Sequence, residues 1–344
     1  MLNANARKNF TACGDAEAEM LLEKVLCEIR ETLSGTGLCV CLGGSYGRGD
    51  GGVRIDRENG ILYNDLDFFV FARKKSAGAE NVLREIAIKY EHELKVDVDF
   101  SRIMSVKDIK TNAKRLMMQE LKRGYRLVAG EDLLEKYLPE LPAEKLPYSE
   151  ACRLLLNRGM GLIFAGEKIA KNSDETDFIL RNLYKAILGA GDAVMIANKS
   201  YRWNIADRLE WIENSDMLEA WKALYREAVE FKCAPHRQKK ADMFEFWYAV
   251  RDFFRYAVLN CAGNESEEDI IKGIFRICRK NGELSMKNFV KYCVKSKFSA
   301  LAKSRYCTMP AAALLVSDVY SALNTMSEMP IEQSKLYKHW LIFN

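Results

Sequence analysis

A short stretch of small residues between two apolar segments constrains this chain more than any other part of its sequence. Residues 38–42 read LCVCL, residues 43–50 read GGSYGRGD, and residues 66–72 read LDFFVFA. An uninterrupted apolar run is typical of a strand that is buried on both faces, and the glycines that follow it predict a tight turn. The sequence therefore predicts two strands in one sheet, with a glycine turn after the first.

Two carboxylates stand at the start of the second strand. Asp65 and Asp67 are two residues apart, so on an extended chain their side chains point to the same side. Paired carboxylates repel each other unless a cation lies between them. Mg²⁺ prefers such hard oxygen ligands and binds one or two carboxylates together with substrate phosphates. We interpret Asp65 and Asp67 as metal ligands; a solvated strand face is the alternative.

A further pair of carboxylates lies on a predicted third strand. Residues 94–100, LKVDVDF, alternate between apolar and charged side chains, which places Asp97 and Asp99 on one face. A third carboxylate beside Asp65 and Asp67 would allow two metal ions about 4 Å apart, as in phosphoryl-transfer sites. We prefer Asp99 as this third ligand, with Asp97 as the alternative.

The glycine turn supplies groups that suit an anion. Small residues such as Gly43 and Gly44 let backbone N–H groups approach a phosphate closely. The Ser45 hydroxyl can donate to a phosphate oxygen, and the Arg48 guanidinium can meet another. Arg48 is explained equally well as a surface residue.

These motifs together resemble the signature of the nucleotidyltransferase superfamily, which includes DNA polymerase β and the minimal and aminoglycoside nucleotidyltransferases. Gly44-Ser45, Asp65-Leu66-Asp67 and a later strand carboxylate carry the resemblance, over roughly residues 35–135. It implies that a nucleoside triphosphate binds at the glycine turn (Gly43, Gly44, Ser45 and Arg48). It also implies that Asp65, Asp67 and Asp99 bind Mg²⁺ and are catalytic, with Asp99 as a base. Residues 50–64 make the spacing between the motifs longer than in compact members of the family.

After these motifs, the spacing of apolar residues changes from a mixture of strand and helix periods to a helical period. Pro139, Pro142 and Pro147 predict a linker. We therefore expect an α+β fold, with a nucleotidyltransferase-type mixed sheet and helices in residues 1–140 and an all-α helical bundle in residues 148–344. The helical domain is expected to form the acceptor side of the cleft. Predicted helices lie near residues 148–170, 175–199, 204–214, 216–231, 241–261, 266–280, 284–295 and 309–326.

Composition narrows the classes of partner. The net charge of +4 is close to balanced, so nucleic acid is a partner that composition does not favour. Lys287, Lys291 and Lys295 share a predicted helix face, which we interpret as solvated, with an RNA-docking surface as the alternative. No apolar run is long enough to span a membrane, and no secretory leader is apparent, so we expect a cytoplasmic protein. The cysteines form no Cys-x-x-Cys pair, which argues against zinc.

The function expected from the sequence is Mg²⁺-dependent nucleotidyl transfer. The chain would move a nucleoside monophosphate, AMP from ATP being the expected case, onto a hydroxyl of a small molecule, a sugar or a protein, with release of pyrophosphate. One alternative is a nucleotide-polymerising enzyme or second-messenger synthase of the same fold. Another is a nucleotide-binding or interaction module without catalysis. The sequence leaves the acceptor and the oligomeric state open.

Overall fold

The computed structural model describes residues 9–54, 60–74, 78–236, 238 and 240–262. These residues form two compact units. The first runs to Pro142 and also contains Glu230–His236; the second contains Ala143–Val229 and the described residues after 236. The pattern of residue types had no signal that Glu230–His236 belongs with the first unit.

The first unit is mixed α/β. Its elements are α1 (Ala16–Thr32), β1 (Leu38–Leu42), α2 (Gly44–Arg48), β2 (Leu66–Ala72), α3 (Ala79–Leu94), β3 (Val98–Phe100), β4 (Met104–Ser105), α4 (Val106–Asn112), α5 (Leu116–Arg123), β5 (Arg126–Ala129) and α6 (Leu133–Tyr137). The two strands predicted at residues 38–42 and 66–72 have these bounds; β1 is buried throughout, whereas β2 is partly exposed at Asp67 and Phe69.

The sheet is open and mixed, with the strand order β3-β2-β1-β5 and β4 beside β2. β1 pairs with β2 and with β5 in the antiparallel sense, whereas β3 and β4 run parallel to β2. The segment YRLVAGED predicts a short edge strand followed by a turn, and β5 occupies an edge of the sheet. This topology places β2, the strand with the paired carboxylates, between β1 and β3.

Apolar side chains cover both faces of the sheet. On one face, Leu66, Phe68 and Val70 of β2 join a core that includes the buried residues of α1 and α3. On the other face, Phe71 joins a second core with residues of α4, α5 and α6. Alternate residues of β2 therefore enter different cores, which is the period of two that a strand imposes.

Two expectations for this part of the unit need correction. Helical spacing predicts a helix over residues 15–33 with Met20 on its apolar face; the helix is α1, but Met20 is exposed. The strand expected over residues 94–100 is shorter, because α3 continues to Leu94 and the chain leaves it through Lys95 in the left-handed conformation, with φ 58°. Of residues 94–100, only Val98–Phe100 therefore forms a strand that pairs with β2.

The sequence predicts one helix near residues 107–123, whereas the structure divides this stretch into α4 and α5. A capping box begins α4, in which the Ser105 hydroxyl accepts from the Asp108 N–H and the Asp108 carboxylate accepts from the Ser105 N–H. After α4, the Ala113 carbonyl accepts a hydrogen bond from the Gln119 side chain at 2.6 Å. Gln119 also donates to the carbonyl of Pro139, and these side-chain bonds fix the turn between the two helices.

All long regular elements described in the second unit are helices. They are α7 (Tyr148–Ala170), α8 (Thr176–Ala197), α9 (Ile205–Glu213), α10 (Glu219–Cys233), whose last turn belongs to the first unit, and α11 (Met243–Ala262). They agree with the five helices expected between residues 148 and 261. The expected helices near 266–280, 284–295 and 309–326, and with them Lys287, Lys291 and Lys295, lie outside the described residues.

The second unit contains a buried ion pair. Arg208 Nη1 lies 3.0 Å from the Asp192 carboxylate, and both side chains are buried. Arg208 also donates to the carbonyls of Arg202 and Trp203, and its guanidinium lies over the Tyr201 ring. These contacts give Asp192 a structural role. Among the described helices, none has the length and apolar character that a membrane crossing requires.

Candidate active site

Asp67 and Asp99 are direct partners on neighbouring parallel strands. The register of β2 and β3 pairs Leu66 with Val98, Asp67 with Asp99, and Phe68 with Phe100. Leu66 and Val98 are buried in the core on one face of the sheet. Because side chains alternate along a strand, Asp67 and Asp99 project together from the opposite face. Two of the carboxylates expected to bind metal are thus side by side.

Several bonds hold this strand pair in register. The Leu66 N–H donates to the Asp97 carbonyl at 2.9 Å, and the Ser101 N–H donates to the Phe68 carbonyl at 2.8 Å. The rings of Phe68 and Phe100 are stacked, with centroids 4.7 Å apart. A slip by one residue would move these buried side chains to the wrong face, so the core that forms on one face fixes the carboxylates on the other.

Asp65 and Asp97 flank the central pair. Asp65 immediately precedes β2 and Asp97 immediately precedes β3. Partial loss of hydration raises the pKa of Asp99, and the nearby charges of Asp65, Asp97 and Glu91 raise it further. The Asp99 side chain is exposed, yet the negative charges of the acidic residues around it still raise its pKa. All four aspartates expected from the sequence contribute to one acidic region; the choice between Asp97 and Asp99 as the third ligand stays a prediction.

The glycine turn lies directly against this region. The Gly43 N–H donates to the Asp67 carbonyl at 2.8 Å, so the end of β1 is tied to the carboxylate strand. Gly44 has φ +59°, and a Cβ built on it would overlap Oδ2 of Asp67 and lie 3.0 Å from Cγ. Glycine is favoured at position 44, because a side chain there would strain the backbone and displace the Asp67 carboxylate. The structure therefore brings the predicted phosphate turn and a predicted metal ligand together.

Ser45 and Arg48 belong to the short helix α2. Ser45 is half-buried in its first turn, and its carbonyl accepts from the Asp50 N–H at 2.9 Å. Arg48 Nε lies 3.7 Å from the Asp50 carboxylate, and Nη1 lies 3.8 Å from that of Glu120. These separations are longer than hydrogen bonds, so a phosphate would compete with two loosely held carboxylates for Arg48.

Asp50 was not anticipated as part of this region. It is buried, and its carboxylate lies 3.5 Å from Lys232 Nζ as well as near Arg48. Lys232 belongs to the segment Glu230–His236 that packs with the first unit. A buried carboxylate between two cations is electrostatically compensated, and here it links α2 to a segment 180 residues later. The Arg-Gly-Asp tripeptide at residues 48–50 does not by itself indicate the contact between Asp50 and Lys232.

The role of Tyr46 in this region was not predicted from the sequence either. Its side chain is fully buried, and its hydroxyl donates to the Gly52 carbonyl and accepts from the N–H groups of Tyr63 and Asn64. Burial raises the pKa of Tyr46, and the nearby charge of Asp65 adds to this effect. A buried tyrosine with these partners connects the glycine turn to the residues just before Asp65. The only signal in the sequence is an aromatic residue inside an otherwise small-residue turn.

The donor atoms suit a hard cation. Within the described part of the chain, no group of three or more histidine, cysteine or acidic side chains is placed so that it could hold a metal ion by itself. The two in-register carboxylates offer hard oxygen ligands, and partial dehydration together with the nearby negative charges raises the pKa of Asp99. Mg²⁺ takes one or two protein carboxylates and completes its shell with water and phosphate oxygens. The residues present therefore fit Mg²⁺ that arrives with a nucleotide.

Comparison with known proteins identified no relative of this chain. No protein-family model, no curated protein and no solved structure matches the chain.

Proposed function

We propose that this protein is a Mg²⁺-dependent nucleotidyltransferase, which moves a nucleoside monophosphate from a nucleoside triphosphate onto a hydroxyl group and releases pyrophosphate. One observation carries the proposal. Asp67 and Asp99 are in-register partners on β2 and β3, and Gly44 of the small-residue turn lies against the Asp67 carboxylate. A phosphate-binding turn and a pair of metal-binding carboxylates are the two parts that this chemistry needs at one place.

The electrostatics support a cation at the carboxylates. Partial dehydration and the charges of Asp65, Asp97 and Glu91 raise the pKa of Asp99, so the ionised form of Asp99 is disfavoured at this position. A divalent cation relieves this repulsion. Asp67 and Asp99 would hold it together with phosphate and water oxygens, and Asp65 stays a predicted third ligand. When bound, Mg²⁺ would neutralise phosphate charge and stabilise the leaving pyrophosphate.

The residues of the turn would bind and orient the triphosphate. Gly43 and Gly44 leave the backbone accessible to phosphate oxygens, and the Ser45 hydroxyl can donate to one of them. Arg48 can pair with another after leaving Asp50 or Glu120. The triphosphate is thereby oriented with its α-phosphorus towards the acceptor, which removes much of the entropic barrier to transfer.

Asp99 would accept the proton of the attacking hydroxyl. The hydroxyl oxygen forms a bond to the α-phosphorus, the bond between that phosphorus and the bridging oxygen of pyrophosphate breaks, and the proton passes to the Asp99 carboxylate. AMP transfer from ATP is the expected case, and the first unit is the nucleotidyltransferase-type domain in this proposal. The helical acceptor domain stays a prediction.

The experiment is a transfer assay with labelled ATP, Mg²⁺ and a panel of hydroxyl acceptors that includes sugars, aminocyclitols and proteins. Wild-type protein is expected to release pyrophosphate with one acceptor class. Asp67→Asn is expected to reduce the rate by at least about 100-fold, since it removes charge stabilisation at the reacting phosphate. Asp207→Asn, an exposed aspartate of α9, is the matched control. Full turnover by Asp67→Asn would contradict the proposal.

A further inference from the structure

The hydroxyl group of Tyr46 uses all of its hydrogen-bonding capacity inside the protein. It donates to the Gly52 carbonyl at 2.8 Å and accepts from the N–H groups of Tyr63 at 3.0 Å and Asn64 at 3.3 Å. One donor and two acceptor sites are what a phenolic hydroxyl offers. Burying a hydroxyl is unfavourable unless such bonds are made, so the group is specifically accommodated at this position.

The partners of Tyr46 lie at both ends of the loop that separates the two motifs. Gly52 stands near its start, whereas Tyr63 and Asn64 stand at its end, immediately before Asp65. The loop ends are also tied directly, because the Asn64 side chain accepts from the Gly52 N–H at 2.7 Å. The Tyr46 ring lies against Gly51, where an added Cβ would overlap it. Tyr46 is therefore the point at which this loop is attached to α2.

Asp65 depends on this attachment more than Asp67 does. Asp67 lies within β2, where its carbonyl accepts from Gly43 and its neighbours are fixed by the ladder with β3. Asp65 lies one residue outside β2 and follows directly after Asn64, whose backbone Tyr46 holds. The backbone that enters Asp65 is thus set by a side chain from the glycine turn.

We propose that Tyr46 is a positioning residue that fixes Asp65 beside the pair of Asp67 and Asp99, where its negative charge strengthens the binding of a divalent cation by that pair. The inference rests on the proposed function, because it concerns the same metal site. The turn that receives the phosphates thereby also sets the position of an acidic residue at the metal site through one buried hydroxyl. A purely structural tyrosine would affect the stability of the fold and leave the metal affinity of the folded protein unchanged.

The test compares Tyr46→Phe with Tyr90→Phe. Tyr90 is a suitable control because it is also buried in the first unit, and its hydroxyl bonds to Glu28 on the side of α1 and α3. Mn²⁺ serves as the probe, and its binding is measured by calorimetry and by paramagnetic resonance. Circular dichroism and thermal melts establish that each variant is folded, and hydrogen exchange follows the amides of Tyr63 and Asn64.

Tyr46→Phe is expected to bind Mn²⁺ about 10-fold more weakly, as is common when a residue behind a metal ligand is lost. The amides of Tyr63 and Asn64 should exchange faster, and Tyr90→Phe should bind Mn²⁺ like the wild type. A folded Tyr46→Phe variant with wild-type Mn²⁺ affinity would overturn the inference and leave the proposed function standing.

A second variant covers the case in which Tyr46→Phe does not fold. Asn64→Ala removes the bond to Gly52 and keeps the Tyr46 ring in place. It is expected to weaken Mn²⁺ binding in the same direction, and unchanged affinity would overturn the inference. Wild-type protein that binds no Mn²⁺ would contradict the proposed function itself, and the positioning role with it.

Discussion

The backbone of Gly44 and the carboxylate of Asp67 occupy adjacent space, so that a single added carbon at position 44 would overlap Oδ2 of Asp67. The two residues come from different elements and are 23 positions apart in the sequence. Their proximity joins a turn that suits phosphate to a strand that suits a metal. The proposed chemistry depends on this relationship.

The contact between Gly44 and Asp67 predicts that Gly44→Ala loses activity beyond its effect on stability. The left-handed φ of +59° costs about 1–2 kcal/mol for a residue with a Cβ, and the overlap additionally displaces Asp67. Gly35→Ala is the matched control, because Gly35 has φ +76° and no atom within 4 Å of an added Cβ. Urea unfolding should show a loss in both variants, whereas Mn²⁺ binding should fall only in Gly44→Ala. Equal Mn²⁺ binding by both would show that the close approach is irrelevant to the site.

Neutralising Asp99 should stabilise the protein in the absence of metal. The pKa of Asp99 is raised in the folded state by partial dehydration and by Asp65, Asp97 and Glu91. The folded state therefore holds its proton to a higher pH than the unfolded state, and the stability contributed by this group is lost as the pH rises through the folded pKa.

Asp99→Asn removes the titrating carboxyl group, and with it the loss of stability that occurs as the pH rises. In the presence of a chelator at neutral pH, its free energy of unfolding should exceed that of the wild type by less than about 1 kcal/mol, because solvent screens an exposed group. Below the ordinary pKa of aspartate the two proteins should have similar stability. Urea titrations across pH measure this difference. Destabilisation by Asp99→Asn at neutral pH would mean that the carboxylate has a favourable partner in the folded state.

Asp97 and Asp99 should differ in their effect on transfer. Asp99 is the in-register partner of Asp67, whereas Asp97 contributes its backbone carbonyl to Leu66 one position earlier. Asp99→Asn should therefore lower the transfer rate by at least about 100-fold, and Asp97→Asn should retain most of it. Steady-state assays with the acceptor found in the transfer screen make the comparison. The opposite ranking would assign the third ligand to Asp97.

The buried pair in the helical unit predicts a large stability difference that is unrelated to catalysis. Arg208→Ala removes a cation from the buried Asp192 carboxylate and should cost about 3–5 kcal/mol. Arg226, which pairs with Glu213 on the surface, is the control, and Arg226→Ala should cost less than about 1 kcal/mol. Urea unfolding of both variants tests the contrast. Similar losses would show that burial does not determine the strength of the Arg208 pair.

Some of this architecture could be predicted from residue types because the relevant forces are local. The apolar runs of β1 and β2 predict their bounds, and the period of two places Asp67 on the same side as Asp65 and Asp99 on the same side as Asp97. The glycines predict a turn after β1. These features follow from alternation and from the conformational freedom of glycine, both of which are readable in a few consecutive residues.

The remaining features depend on contacts between distant residues. The pairing of Asp67 with Asp99 is a matter of strand register, which the cores on the two faces determine. The Tyr46 hydroxyl finds partners 6, 17 and 18 residues away, and Asp50 finds Lys232 in a segment that follows most of the helical unit. The end of α3 at Leu94 depends on Lys95 adopting a left-handed conformation, which alternation cannot reveal.

The most direct test of the central claim is a crystal structure with Mn²⁺ and a non-hydrolysable ATP analogue, in which anomalous scattering locates the metal. The account predicts metal within coordination distance of the Asp67 and Asp99 carboxylates, about 2.0–2.2 Å, with the triphosphate against the turn at Gly44 and Ser45. Metal and nucleotide bound away from these residues, or nucleotide bound at the turn with no metal at either carboxylate, would contradict it.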